Sequence, residues 1–161
     1  MRLSPVSFGA GLALLLTGCT STPVVLAPVG PSPAAIGRAG SNGQLVVYSA
    51  WQGRTEGNNP VWHQHSDYVL YDPQGRRLRY VDNTVGNYER TPRVVTLPAG
   101  KYFVKAQAED YLGVKVPVVI EPGRTTRVHL DGDWKPPVAT PTTELVSVPA
   151  GYPVGWRAPA S

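Results

Sequence analysis

The chain has 161 residues, of which 42% are hydrophobic, and its 15 basic and 11 acidic residues give a formal net charge of +4. This length suits one domain with its own core, and the small basic excess excludes a polycation that would hold nucleic acid by charge. Cys19 is the single cysteine. The composition therefore excludes an internal disulfide framework and a metal site built from several cysteines.

The first nineteen residues have the three parts of a secretory signal. Arg2 is the basic start, an apolar stretch covers residues 6–16, and small residues precede the cysteine. The apolar stretch is too short to span a bilayer as a helix. The motif Leu16-Thr17-Gly18-Cys19 resembles the lipobox of bacterial lipoproteins. The resemblance implies a signal peptide over residues 1–18, cleavage before Cys19 and acylation of Cys19.

The lipobox also carries expectations about location. It implies a membrane as a partner through the lipid anchor, and a cell-envelope localisation in which Thr20 favours the outer membrane, because related lipoproteins retained at the inner membrane favour Asp at that position. The alternative is an ordinary cleaved signal followed by a leftover cysteine.

Proline and glycine mark the two ends of the remaining chain. Residues 20–43 hold four Pro, four Gly and a single charge at Arg38, which predicts a flexible tether that reaches at most about 80 Å from Cys19. Residues 132–161 hold six Pro and predict a Pro-rich tail without regular structure, apart from residues 144–148.

The middle of the chain, residues 44–131, predicts an all-β domain. Short runs of β-branched and aromatic residues recur about every ten positions between turn residues, without a helical stripe. The pattern predicts an antiparallel β-sandwich of about seven strands. The predicted strands are 44–51, 68–71, 76–82, 93–97, 101–108, 114–120 and 125–130.

Turn residues and alternation refine this prediction. Asp72-Pro73-Gln74-Gly75, Pro98-Ala99-Gly100 and Glu121-Pro122-Gly123 predict tight turns with glycine at a positive φ. Pro117 predicts an edge strand or a bulge, because it cannot donate a ladder hydrogen bond.

Alternation predicts one buried and one exposed face. The predicted buried residues are Leu78, Tyr80, Tyr102, Val104, Thr126, Val128 and Leu130, and the predicted exposed residues are Arg77, Arg79, Lys105, Arg127 and His129.

The stretch from Arg90 to Leu130 carries a resemblance to a known family. Its main feature is the hairpin Leu97-Pro98-Ala99-Gly100-Lys101-Tyr102, and on it the stretch resembles PEGA domains and, more broadly, the transthyretin-like sandwiches that include carboxypeptidase regulatory domains. Asp110 stands before Tyr111 where the family usually has Gly. The resemblance implies a transthyretin-like or Ig-like sandwich and a non-catalytic surface module, and it transfers no catalytic residue.

A search for chemistry finds weak candidates. His63 and His65 could share one face of a strand and bind a metal with Asp67 or His129, but they follow the loop signature Gly57-Asn58-Asn59-Pro60, which favours a solvated pair. Asp131-Gly132-Asp133 is interpreted as a turn, because a calcium loop needs more oxygen ligands.

Neither Gly-x-Ser-x-Gly nor Ser-x-x-Lys is present. We therefore expect no enzyme, no cofactor and no nucleic-acid partner, and we interpret the arginines near Arg77 as a solvated strand face.

The aromatic residues suggest binding. Trp51, Trp62 and Tyr88 lie in or beside two long predicted loops, residues 52–66 and 83–92, and loops on a rigid sandwich commonly bind ligands. These rings either stack on sugar rings or seal the ends of the core. The sequence predicts a membrane-anchored envelope lipoprotein with a non-catalytic binding or structural module, whose partner is a cell-wall glycan or an envelope protein. A glycan- or peptidoglycan-binding lipoprotein is the alternative, and a metal-dependent or hydrolytic enzyme comes third.

Overall fold

A computed structural model describes residues 22–35, 37, 39–56, 59–83, 91–110, 112–138 and 140–159, with side chains at all of these except 54–56 and 59–63. Cys19 and Tyr88 therefore lie outside the described residues, as do the side chains of Trp62 and His63. Among the described residues there are thirteen strands and one short 3₁₀ helix. They are β1 (Val24–Val25), β2 (Val29–Gly30), β3 (Asn42–Tyr48), β4 (Trp51–Glu56), β5 (Asn59–His65), β6 (Tyr68–Tyr71), β7 (Arg77–Val81), β8 (Val94–Pro98), β9 (Gly100–Gln107), β10 (Gly113–Ile120), β11 (Thr125–His129), the 3₁₀ helix (Thr142–Glu144), β12 (Leu145–Ser147) and β13 (Pro153–Arg157).

The strands form two packed sheets and a hairpin. Sheet A has the order β12-β13-β2-β10-β9-β6-β7, with β1 also paired to β10, sheet B has the order β11-β3-β8, and β4 pairs with β5. The predicted all-β sandwich is confirmed, and all seven predicted strands are present among a larger number. The pairs β1–β10, β2–β10 and β3–β11 are parallel, so both sheets are mixed rather than purely antiparallel as predicted.

The core lies between sheets A and B and is rich in valine. Inward positions alternate along each central strand, as in β10, where every second residue from Val114 to Ile120 is buried. The buried core includes Leu26, Val29, Leu45, Val47, Tyr68, Leu70, Val95, Val104, Val116, Val128, Leu130 and Val154.

Both terminal segments contribute strands to sheet A. β1 and β2 come from the predicted tether, and β12 and β13 come from the predicted tail. The prediction that these segments lack regular structure is wrong at residues 24–25, 29–30 and 153–157. β1 and β2 have two residues each, which is too short to show periodicity, and β13 contains Pro and Gly. Tertiary pairing with β10 and β2 forms these strands.

The edge strand β7 corrects the predicted buried face. Leu78 and Tyr80 are exposed, and Val81 is the one buried residue of β7. Alternation assigns residues to faces of a strand, but it does not say whether a second layer covers either face. The prediction of exposure is also wrong for His129, which is half-buried.

Pro117 lies in the central strand β10 rather than at an edge. β10 pairs with β9 in unbroken register along its whole length, with Pro117 opposite Phe103. On the side of β10 that faces away from β9, the Lys115 carbonyl accepts a hydrogen bond from the Leu26 N–H. Backbone polar groups of every second residue in a strand point to the same side, so those of Pro117 also point away from β9. This is the gap between β1 and β2, where no N–H is needed. The predicted edge or bulge is therefore wrong.

The predicted turns are confirmed in their glycine conformations. The φ angle is +80° at Gly75 and +64° at Gly123. At Gly100 it is also positive, but its value of +155° is close to that of an extended backbone. The first predicted long loop is a hairpin in part, because β4 and β5 occupy most of residues 52–66. In the second predicted long loop, residues 83–92, positions 84–90 lie outside the described part of the chain.

No helix among the described residues is long and apolar enough to cross a membrane.

Candidate functional site

A row of six aromatic rings crosses the outer side of sheet B. We call it the aromatic row, and in spatial order its members are Trp51, His65, Tyr48, His129, Trp134 and Trp156. Each ring contacts the next, with centroid separations from 4.0 to 6.1 Å. Four segments that are distant in sequence meet here, so the row is a product of the fold.

Strand register places the centre of the row. His129 of β11 pairs with Tyr48 of β3 in a parallel ladder, and neighbouring partners on one face of a sheet lie about 4.8 Å apart. Their rings stack at 4.4 Å with planes 11° apart. Trp134 follows on the other face of His129, at 5.0 Å and 9°. Three nearly parallel rings therefore form the middle of the row.

A cavity of about 200 Å³ opens beside the Trp134 end of the row. Trp134 and Trp156 are half-buried and stand edge to face at 6.1 Å. Arg127 comes from the same outward face of β11 as His129, and Ser32 and Thr125 add hydroxyl groups. The cavity thus combines two indole rings with one cation and two hydroxyls, which is the mixture of apolar walls and a few polar groups found in small-molecule sites.

Hydrogen bonds hold the other end of the row. The Trp51 Nε1–H donates to Asp133 at 3.1 Å, and the Trp51 backbone N–H donates to Glu109 at 3.2 Å. His65 is buried, and its Nδ1–H donates to the carbonyl of Ser49 at 2.6 Å. These contacts fix two rings of the row before any ligand arrives, which lowers the entropy cost of binding.

His129 is electrically neutral in the row. Burial is the main cause, and together with the charges of Arg127 and His65 it lowers the pKa of the His129 imidazole from 6.5 to about 4. A neutral ring stacks between Tyr48 and Trp134 without requiring a counter-ion. Arg127 is therefore the cation that the cavity offers to a ligand.

Asp131 follows β11 at the edge of the row and is buried. Burial raises the pKa of its carboxyl from 3.8 to about 6, against backbone hydrogen bonds that lower it, and the carboxylates of Asp133 and Glu109 also raise it. Its Oδ1 has no hydrogen-bond partner within the described part of the chain. Ionised Asp131 therefore opposes folding at neutral pH.

These two shifts predict opposite effects of pH on stability. The raised pKa of Asp131 means that the folded protein takes up a proton before the unfolded chain does, so stability increases as pH falls from about 6 to about 4. The lowered pKa of His129 means that the unfolded chain is protonated first, so stability decreases as pH falls from about 6.5 to about 4. We expect Asp131→Asn to raise the melting temperature at pH 7, and to make the protein lose more stability than the wild type on acidification to pH 4.5. Thermal melts at both pH values measure this.

The exposed residue Glu144 supplies the control, and Glu144→Gln should follow the wild type at both pH values. An Asp131→Asn protein that melts like the wild type at pH 7 would show that the Asp131 carboxylate is hydrated, contrary to this account.

The residues predicted from the sequence have different outcomes. Trp51 is a member of the aromatic row, and His65 is too, although as a carbonyl-bound ring rather than a metal ligand. The side chains of Trp62 and His63 and all of Tyr88 lie outside the described residues, so these candidates stay predictions. No group of three or more His, Cys, Asp or Glu side chains within the described residues is placed to hold a metal ion.

Sequence reasoning missed Tyr48, Trp134 and Trp156 of the row, and it named His129 only as a possible metal ligand. Two of them fall in the predicted Pro-rich tail. A signal was available there, because disordered segments are poor in aromatic residues. The tail nevertheless carries Trp134, Tyr152 and Trp156.

Comparisons with known proteins assign no family. No family model matches the chain, and no solved structure matches it. Among curated proteins, transcription elongation factor SPT6 from Gibberella zeae is 44% identical over 71 residues, which is 43% of this chain and 5% of that protein. Because the chain spans so small a share of this relative, the match shows neither the family nor the function.

Proposed function

We propose that the protein is a lipid-anchored lipoprotein of the cell envelope, acylated at Cys19, whose β-sandwich is a non-catalytic binding module. We further propose that the aromatic row is its binding surface and that a glycan of the cell wall is the ligand. The observation that carries the proposal is the cavity of about 200 Å³ beside Trp134, Trp156 and Arg127.

The chemistry of this cavity suits a sugar. One face of a pyranose ring is made of C–H groups and stacks on an indole, while the hydroxyls around its rim need donors and acceptors. Trp134 and Trp156 offer the flat apolar surfaces. Ser32, Thr125 and Arg127 offer the polar groups. Arg127 also suits the carboxylates of acidic sugars or peptides attached to a cell-wall glycan.

The construction of the site supports binding rather than catalysis. The described titratable groups in or beside the row include the neutral His129, Arg127, Glu109, Asp131 and Asp133. Asp131 is buried, and Asp133 accepts a hydrogen bond from the Trp51 indole. None of these carboxylates lines the cavity, and His129, which does, stacks between Tyr48 and Trp134. The cavity therefore presents rings, hydroxyls and a cation to a ligand without a carboxylate to act as acid or base.

Trp134→Ala tests the glycan proposal. We expect the variant to lose at least about five-fold in retention on isolated peptidoglycan, because stacked rings contribute about 1–3 kcal/mol in comparable aromatic contacts. Co-sedimentation of the purified protein with insoluble cell-wall material measures the retention.

Tyr80→Ala is the matched control, because Tyr80 is an aromatic residue that is 59% exposed on β7, at the opposite end of sheet A from β13, which carries Trp156. Its retention should equal that of the wild type. If Trp134→Ala were retained as well as Tyr80→Ala, the aromatic row would not be the glycan site.

A further inference from the structure

The outer face of sheet A combines apolar side chains with lysines. Outward positions alternate with the buried ones along β6, β9 and β10. We call this surface the lysine face, and its central members are Tyr71, Lys101, Phe103, Lys105, Lys115 and Pro117. Tyr71, Phe103 and Pro117 lie side by side across the three strands. The result is a continuous apolar strip with basic groups along it.

Two lysines of this face, Lys105 and Lys115, are like-charged neighbours. Lys105 is directly opposite Lys115 in the β9–β10 ladder, an arrangement that destabilises a sheet unless an anion neutralises it. Lys115 Nζ sits 4.1 Å from the centre of the Phe103 ring. No carboxylate occupies an outward position of β6, β9 or β10. The face therefore suits an anionic partner and repels a second copy of itself.

The N-terminal strand brings this face close to the proposed anchor. Val24 pairs with Val114, and Val25 pairs with Lys115 and is 62% exposed on the same side. Five residue steps separate Cys19 from Val24, and they span at most about 18 Å. The long tether expected from composition is thus shortened, because β1 returns the chain to the sheet.

We propose that the lysine face lies against the surface of an anionic phospholipid membrane, the one in which Cys19 is anchored. This inference rests on the proposed acylation of Cys19. The apolar strip enters the headgroup region while Lys101, Lys105 and Lys115 contact lipid phosphates. A cavity of about 490 Å³ within the face, between Phe103, Pro117 and Val119, leaves room for lipid groups.

The strength of such docking follows from charge and tethering. Each lysine near an anionic surface improves partitioning by a factor of about five, and the effect fades within a Debye length of about 8 Å. Three lysines alone give weak, reversible adsorption. A short lipid anchor keeps the lysine face at a high effective concentration near the membrane, so that adsorption becomes an intramolecular step. The weak contacts of three lysines are then sufficient to hold the face against the bilayer. Docking also leaves the centre of the aromatic row, Tyr48 and His129 on sheet B, away from the bilayer.

The lysines of the chain provide their own control. The chain has four lysines, and Lys135 alone is absent from the lysine face, since it follows Trp134 at an exposed position near the aromatic row. The acylated protein is added from detergent to preformed vesicles of phosphatidylcholine, with or without phosphatidylglycerol. A membrane-impermeant reagent then acetylates the lysines, and mass spectrometry gives the rate at each one.

We expect Lys101, Lys105 and Lys115 to react at least about five-fold more slowly on the anionic vesicles than on the neutral ones, relative to Lys135. Lys105→Glu should restore the reactivity of Lys101 and Lys115, and Lys135→Glu should not. Equal relative rates on both kinds of vesicle would overturn the proposal. Protection seen in native envelopes but absent from anionic vesicles would also overturn it and would indicate an acidic protein partner.

The intact mass of the same sample separates the two claims. A mass without acyl groups would contradict the proposed anchor. Lysine protection measured with that unacylated protein and the same anionic vesicles would still decide whether the lysine face binds a membrane.

Discussion

Cys19→Ser is expected to remove the protein from the membrane. If Cys19 is acylated, the wild-type protein stays in the membrane fraction after a high-salt wash, because lipoprotein modification supplies more than one acyl chain and a single chain gives only reversible attachment. Serine cannot form the thioether that carries the lipid. The serine variant should therefore be soluble or remain unprocessed with residues 1–18 attached.

Intact mass spectrometry distinguishes these states better than fractionation alone. The wild-type protein should begin at Cys19 and carry the mass of its acyl groups, and Thr22→Ser, a conservative change three residues further on, should behave like it. A Cys19→Ser protein that still carries lipid, or a wild-type protein whose mature N-terminus carries none, would contradict the anchor.

Gly155→Ala is expected to cause a large loss of stability. A Cβ at Gly155 of β13 would lie 2.6 Å from Cγ1 of Val29 and 2.9 Å from the carbonyl oxygen of Arg127. The second contact is with the backbone of β11 in sheet B, so it cannot be relieved by a rotamer change. We expect a loss of about 3 kcal/mol in the free energy of unfolding, or roughly 10 °C in Tm.

Gly113→Ala is the matched control for this prediction. Gly113 lies in a strand of the same sheet, and a Cβ there meets no atom within 4 Å. Its melting temperature should stay within about 2 °C of the wild type or rise slightly, since alanine restricts the unfolded chain. If both alanine variants melted alike, β13 would not pack against β11, and the C-terminal segment would be the loose tail that its composition suggests.

Local sequence signals predicted the middle of the fold well. Alternating apolar residues and turn residues such as Gly75 and Gly123 located seven of the nine described strands between residues 42 and 131, because these features depend on a few neighbouring residues. They missed the hairpin of β4 and β5, which was predicted as a loop. The same signals could not assign burial at the edge. Leu78 and Tyr80 alternate like core residues, but β7 ends sheet A and they stay exposed.

The candidate site depended on pairing between distant segments. Tyr48 and His129 stack because β3 and β11 are parallel neighbours in one register, and neither parallel pairing nor register can be read from the two strands separately. Trp134 and Trp156 join them because β13 packs onto β2 and β11, where Gly155 permits a close approach. The proline content of the C-terminal segment predicted no regular structure, but long-range packing against β2 and β11 makes residues 153–157 a strand.

The most direct test of the central claim is a titration of the isotope-labelled protein with soluble peptidoglycan fragments, observed at the indole N–H signals of its four tryptophans by NMR. Tryptophan-to-phenylalanine variants assign the signals. If the aromatic row binds cell-wall glycan, the Trp134 and Trp156 signals should shift in a saturable way while the fold stays intact. Saturable binding that leaves both signals unmoved, or no binding at all, would contradict the account.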